Sequence, residues 1–147
     1  MKVYIGADHG GFKLKEDIKG YLVDLGYQVE DLGAHEVNNE DDYPDFIFPV
    51  SQKVEGEKEA FGIVIGRSGN GEAIAANKVK GIRAALCTSP EMAKKAREHN
   101  DANVLSLGAD YVSEGEAKEI VKTFLETNFS GEERHKRRLE KISRLLP

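Results

Sequence analysis

Short apolar runs alternate, along the whole chain, with segments whose apolar residues recur every three or four positions. Val3-Tyr4-Ile5 reads as a first strand stopped by Gly6. Leu14, Ile18, Leu22 and Leu25 then share one helical face, and Gly26 supplies a C-cap. Tyr27 to Leu32 alternates as a second strand and halts at Gly33. From Ala34 to Pro44 the chain is polar and acidic, the composition of a surface loop. Phe46, Val50 and Val54 predict a helix, and Pro49 fits best in its first turn, where no N–H is needed.

The third strand is Phe61 to Ile65 and the fourth is Arg83 to Cys87. Ser89-Pro90-Glu91 predicts the cap and first turn of a helix running through Met92, Ala93, Ala96 and His99. Asn103 to Leu107 makes a fifth strand, ended by Gly108. Ser113 with Glu116 forms a capping box for a helix carrying Ala117, Ile120, Val121, Phe124 and Leu125. A charged helix over 132–146 follows, with Leu139, Ile142, Leu145 and Leu146 along it.

Five strands separated by helices predict an α/β fold: a three-layer, doubly wound parallel sheet, Rossmann-like, with 2-1-3-4-5 as the simplest strand order. The 147 residues suit a single domain spanning 1–147. Ligands of such sheets bind beyond the carboxyl ends of the strands, where the winding reverses, here between strands one and three. Two glycine-rich loops converge on that place, Ala7-Asp8-His9-Gly10-Gly11 and Gly66-Arg67-Ser68-Gly69-Asn70-Gly71-Glu72.

The second loop carries the clearest chemistry. Its glycines let consecutive N–H groups point into one concavity, which suits a phosphate or a developing oxyanion. Glu72 adds a carboxylate where a helix begins, so a proton could be moved beside a carbonyl. An ordinary glycine-rich turn is the alternative. Asp8 and His9 could orient a hydroxyl, move a proton or bind a phosphate oxygen, or could be an N-cap and a turn residue. His99 ends a helix, where the macrodipole favours its protonated, acid form; otherwise it is a cap, with Asn100 in a left-handed turn. Arg134 and Arg138 are four apart and could grip one phosphate, or could be a solvated face partnered by Glu132, Glu133 and Glu140.

Composition narrows the classes. Hydrophobic residues at 39% and charged residues at 32% are those of a soluble globular protein. A net charge of −5 removes the global basic field that nucleic acid would need, and no aromatic residues interleave with the basic run at 134–138. No apolar run is long enough to span a membrane, and Met1 to Ile5 leads into a strand rather than a signal peptide, so the cytoplasm is the expected compartment. Cys87 is the only cysteine, which excludes an intrachain disulfide and a thiolate metal cage; its apolar neighbours point to packing.

Six segments in order resemble the ribose-5-phosphate isomerase B family, within the group that includes galactose- and allose-6-phosphate isomerases. They are Gly6 to Lys15, Asp42-Tyr43-Pro44, Gly66 to Glu72 running into Ile74-Ala75-Ala76-Asn77-Lys78, Gly81 to Ala85, Glu98 to Asn103, and Arg134-His135 with Arg138. The resemblance implies aldose–ketose isomerisation of D-ribose 5-phosphate and D-ribulose 5-phosphate through an enediol, in the pentose phosphate pathway, with no metal and no cofactor. Many members have a cysteine base at the end of the third strand; this chain has Gly66 there and looks like the subtype whose base is the loop glutamate, here Glu72. By the same matching His99 donates a proton to open the ring, and Asp8, His9 and Asn100 hold the sugar. Ser68 with the amides of residues 67–71 (Arg67, Gly69, Asn70 and Gly71 among them) cradles the enediolate, and Arg134 and Arg138 bind the phosphate.

The resemblance further implies an obligate homodimer, with a tetramer as the alternative, in which the 132–146 helix serves the dimer and the phosphate site. Burial would raise the pKa of Glu72, and the loop N–H groups and any nearby arginine would lower it. Two departures stand out: Arg67 replaces a usual glycine, and Gly108-Ala109-Asp110 lacks the usual Gly-x-Arg. Arg67 could supply the missing charge, or pair with Asp110 or Glu72. The rival expectations are an isomerase of a six-carbon sugar phosphate or of a free sugar, and a non-catalytic module that senses a phosphate ligand.

Overall fold

A computed structural model describes residues 1–145; Leu146, placed above on the last helix, lies outside them. The elements are β1 (Lys2–Ala7), α1 (Phe12–Asp24), β2 (Gln28–Asp31), α2 (Pro44–Gly56), β3 (Phe61–Gly66), α3 (Asn70–Ala76), β4 (Ala84–Leu86), α4 (Pro90–Asn100), β5 (Val104–Gly108), α5 (Glu114–Glu126) and α6 (Glu133–Leu145). All pairings in the sheet are parallel.

The strand order is β2-β1-β3-β5-β4, so the doubly wound fold holds and the expected order of the last two strands is reversed. Burial explains the exchange. Val104 to Gly108 is buried throughout, whereas β4 is three residues long and only half-buried. A short, partly wetted strand belongs at an edge and a strand covered on both faces belongs inside. The chain passes over the β5 position from β3 to β4 and then returns. Because it reverses direction, α4 changes faces, which keeps both crossovers right-handed.

Alternation along the strands sorts the core into two layers. Val3, Ile5, Ile63, Ile65, Leu105 and Leu107 face α1, α4 and α5. Tyr4, Val64 and Val104 face α2 and α3. The α1 and α5 helices thus lie opposite α3, and the loop after β3 is flanked by the loops after β1 and β5.

The local signals match the observed ends. Ser89 Oγ accepts the Met92 N–H, and Ser113 with Glu116 forms the reciprocal box. Gly26 follows the α1 cap at φ +91°. Two expectations differ. Pro44 takes the first turn of α2, and Pro49 lies inside it. The left-handed residue after α4 is Asp101, one beyond Asn100; both types tolerate that region. Lys15 is fully buried on α1, with Asp31 at 2.6 Å and Glu16 at 2.9 Å neutralising it. Among the described residues no helix is long and apolar enough to cross a membrane.

Candidate active site

The glycine loop leaves β3 and enters α3 within the crevice expected from the winding. Gly69 adopts φ +82°, and a Cβ there would meet Leu86 at 2.6 Å and the Leu107 carbonyl carbon at 3.0 Å, so no other residue makes this turn unstrained. The buried Ser106 hydroxyl donates to the Gly69 carbonyl at 2.7 Å, fastening the loop to β5. The Ala109 and Asp110 N–H groups donate to the Gly66 and Arg67 carbonyls at 2.8 and 2.9 Å. The loop is thereby held from beneath before any ligand arrives.

Glu72 stands in the first turn of α3 and is 4% exposed. Its carboxylate folds back over Gly66 into the volume that a Cβ on that residue would occupy. Burial pushes its pKa above the ordinary glutamate value, the N–H groups of Glu72 itself and Gly69 pull it down, and the nearby Asp8 charge raises it. The net direction is upward, which makes Glu72 a stronger base than a solvated carboxylate. The cradle is narrower than the sequence suggests. Asn70 N–H donates to Ser68 Oγ at 3.2 Å, and the Gly69 N–H faces Glu72. The main-chain N–H groups of Arg67, Ser68 and Gly71 have no protein acceptor among the described residues.

The β1 loop forms the facing wall. Asp8 is buried, and its Oδ1 accepts the Gly10 N–H at 3.0 Å, making a local turn rather than a helix cap; Gly11 occupies the cap position of α1. His9 Nδ1 lies 2.6 Å from Asp41 Oδ1. Asp41, Asp8 and His9 offer ligand-type atoms within 4.8 Å of one another, the one grouping of that kind among the described residues. Arg67 is exposed, and its stem crosses Gly10, so it lies between the two loops. It forms no ion pair with Asp110 or Glu72 among the described residues. Tyr43, at the entry to α2, lies against Gly71, where a Cβ would come within 2.6 Å of the ring. Neither Asp41 nor Tyr43 is a candidate from the sequence; Tyr43 lies in the Asp42-Tyr43-Pro44 segment, and Asp41 carries no signal of its own.

His99, Asn100, Arg134 and Arg138 lie elsewhere. The α4 helix runs from the carboxyl end of β4 back to the amino end of β5, so its last residues stand at the opposite edge of the sheet from Glu72. Arg83, just before β4, confirms the level: its Nε donates to the Asn100 and Asp101 carbonyls, each at 3.0 Å. Five residues of strand separate the two edges, about 16 Å at the usual rise. The α6 helix packs beside α4 through a stack of His99 on His135, with centroids 4.4 Å apart and planes 15° from parallel. His135 is the buried residue of α6; burial first, then the charges of His99 and Arg134, push its pKa down. Neutral His135 Nε2 accepts from Arg134 Nε at 3.4 Å. Arg134 also faces Glu132 at 3.6 Å, and Arg138 is exposed.

One chain therefore carries two half-sites: a carboxylate with free amides at one end of the sheet, and a histidine with arginines at the other. The first half can take a carbon-bound proton and steady an oxyanion. The second can donate a proton and hold a phosphate.

The model of a family described as Ribose/Galactose Isomerase matches residues 3–142. Ribose-5-phosphate isomerase B of Mycolicibacterium paratuberculosis is 44% identical over 140 residues, covering 95% of this chain and 88% of the relative. The structure of the Clostridium thermocellum ribose-5-phosphate isomerase B has a TM-score of 0.94 at 49% identity, covering 99% of this chain and 97% of that one. The Mycoplasma genitalium enzyme, solved with bound ribulose-5-phosphate, also reaches 0.94, at 43% identity and covering 98% and 95%. Sequence identity and overall fold agree with these relatives over nearly the whole length, and the chain belongs to the ribose/galactose isomerase family.

Proposed function

We propose that this protein is an aldose–ketose isomerase interconverting D-ribose 5-phosphate and D-ribulose 5-phosphate by proton transfer through an enediolate, in the cytoplasm. The observation that carries the reading is Glu72: a buried carboxylate, raised in pKa, set over Gly66 beside unpaired amides. A proton beside a carbonyl is weakly acidic, so the enediolate must be stabilised as it forms. The Arg67, Ser68 and Gly71 N–H groups are the donors free to do this among the described residues. One carboxylate facing both carbons returns the proton to the second, so no metal is required by the step.

The separation of the two clusters at opposite ends of the sheet supports a homodimer. His99 and Asn100 reach a Glu72 crevice when a second copy presents its α4–α6 end there. In this homodimer Glu72 of one protomer works with His99, Arg134 and Arg138 of its partner, and α6 serves both the interface and the phosphate. Phosphate held far from the reacting carbons contributes alignment without touching the chemistry. Arg67, whose side chain has no ion-pair partner among the described residues and whose stem crosses Gly10, supplies positive charge to the crevice.

Hydrogen exchange in deuterated water at the carbon beside the carbonyl tests the reading. The wild type exchanges, whereas Glu72→Gln binds sugar phosphate without exchanging. A protein that binds and never exchanges is a sensor. Asp110, where the resembled family pattern has the arginine of Gly-x-Arg, supports a second reading in which a six-carbon sugar phosphate or a free sugar is preferred. Turnover on a panel of five- and six-carbon aldose phosphates and their free sugars separates the two. Turnover is expected to survive chelation.

A further inference from the structure

We infer that Arg83 is a positioning residue that locks the end of α4 and thereby aims His99 at the sugar ring. The inference rests on the isomerase reading and its two-protomer site, and it adds a residue from the turn before β4. The guanidinium straddles the end of the helix. Its Nε donates to the Asn100 and Asp101 carbonyls, each at 3.0 Å, and its Nη2 donates to the Asp101 carbonyl at 2.8 Å. The last carbonyls of a helix have no partner inside it. Those of Asn100 and Asp101 accept from no main-chain N–H among the described residues, so Arg83 is what holds them.

The post is itself fixed. The Arg83 N–H donates to Asn103 Oδ1 at 2.8 Å, and the Arg83 carbonyl accepts from the Asn103 and Val104 N–H groups at 3.0 and 3.3 Å. Its backbone is therefore tied to the start of β5. Asp101 carries the grip inward, because its carboxylate lies between two guanidiniums, Arg83 at 3.4 Å and Arg97 at 3.0 Å. Arg97 is buried, lies 4.8 Å from the centre of the Phe61 ring and donates to the Thr127 and Ala102 carbonyls at 3.0 and 2.6 Å.

A helix end needs less than this to stay closed. The Asp101 and Ala102 N–H groups already donate back to the Arg97 and Ala96 carbonyls at 3.2 and 3.1 Å. Arg83 adds direction to that closure. Helix ends fray, and His99 adjoins Asn100, so a loose last turn would swing its ring. Opening a ribofuranose breaks the bond between the ring oxygen and the anomeric carbon. The ring oxygen takes a proton from His99, the anomeric hydroxyl gives one to water, and solvent restores His99. A misplacement of about 1 Å at such a group can cost about 100-fold.

The test separates ring opening from the later proton transfer. Ribulose 5-phosphate has its 5-hydroxyl blocked by phosphate and stays open-chain, so deuterium exchange beside its carbonyl needs Glu72 and no ring-opening acid. Arg83→Ala should lower kcat/KM for ribose 5-phosphate about 10- to 100-fold, while exchange on saturating ribulose 5-phosphate stays within about threefold of wild type. Its melting temperature should fall by only about 2–4 °C, as for a lost helix-end contact. Arg83→Lys keeps the charge without the planar fork and should recover part of the turnover; it carries the same comparison if Arg83→Ala does not fold. In a His99→Asn background, Arg83→Ala should cost no more than about twofold, because the arginine acts through His99. Turnover of Arg83→Ala within about twofold of wild type, equal losses of turnover and exchange, or additive losses in the double variant overturn the inference. Wild-type protein without turnover overturns the isomerase reading instead. Proton NMR then still decides whether Arg83 holds the ring: the ring-current shift that stacking on His135 gives His99 should be lost in Arg83→Ala, and an unchanged shift overturns the inference.

Discussion

The Glu72 carboxylate occupies the space that a Cβ on Gly66 would need, although the two residues are six apart in the chain. The glycine at the end of β3 and the glutamate at the start of α3 are thus one feature. Gly66→Ala should expel the carboxylate, lower kcat at least 100-fold and destabilise the fold by about 1–3 kcal/mol, the range for overpacking. In a Glu72→Ala background the same change should cost much less. Thermal melts of the double-mutant cycle check the coupling, and additive losses would contradict it.

As the proposed base, Glu72 should set the acid limb of activity. The base must be ionised, so kcat/KM should fall as pH drops through a pKa above the ordinary glutamate value near 4.3. Stability has the opposite sign. A carboxyl whose folded pKa is raised favours the folded state at low pH, and that benefit is lost as pH rises through the folded value. Glu72→Gln should therefore melt higher than wild type at neutral pH, with the difference vanishing near pH 4. Paired melts and pH–rate profiles check both.

Half-sites at opposite ends of the sheet permit complementation. Glu72→Gln and His99→Asn should each be nearly inactive alone. After mixing under conditions of subunit exchange, the proposed dimer would be hybrid in half of its copies with one of two sites intact, giving about a quarter of wild-type turnover. A mixture as inactive as its parents would place both residues in one protomer's site.

His135 ties α6 to His99 while neutral. Burial lowers its pKa, so the unfolded chain takes up a proton that the folded one resists. Its contribution is complete above the ordinary histidine value near 6.5 and declines as pH falls below it. Urea melts at about pH 8 and about pH 5.5 should show a larger acid loss for wild type than for His135→Phe, which keeps an aromatic face for His99. Equal losses would refute this.

The elements and the first half-site were legible because they rest on local chemistry. Ser89, Ser113 and Gly26 mark helix ends, and the glycines of the β3 loop announce close approach. Strand order was less legible, since β4 and β5 look alike as runs and differ in how many faces are covered. Asp41 is hidden among Glu36, Glu40 and Asp42, and only a distance to His9 distinguishes it. His135 reads as part of a solvated basic run, yet helical phase turns it alone inward. That the resembling segments divide between two ends of the sheet needs the path of α4, which no residue type encodes.

Ser106 shows what a redesign for heat tolerance would miss. It is fully buried among aliphatic neighbours in β5, the kind of position where a substitution to alanine or valine looks free of consequence. Its hydroxyl is the tether on the Gly69 carbonyl. A hardier variant made that way would keep its sheet and let the amide cradle drift, trading turnover for endurance.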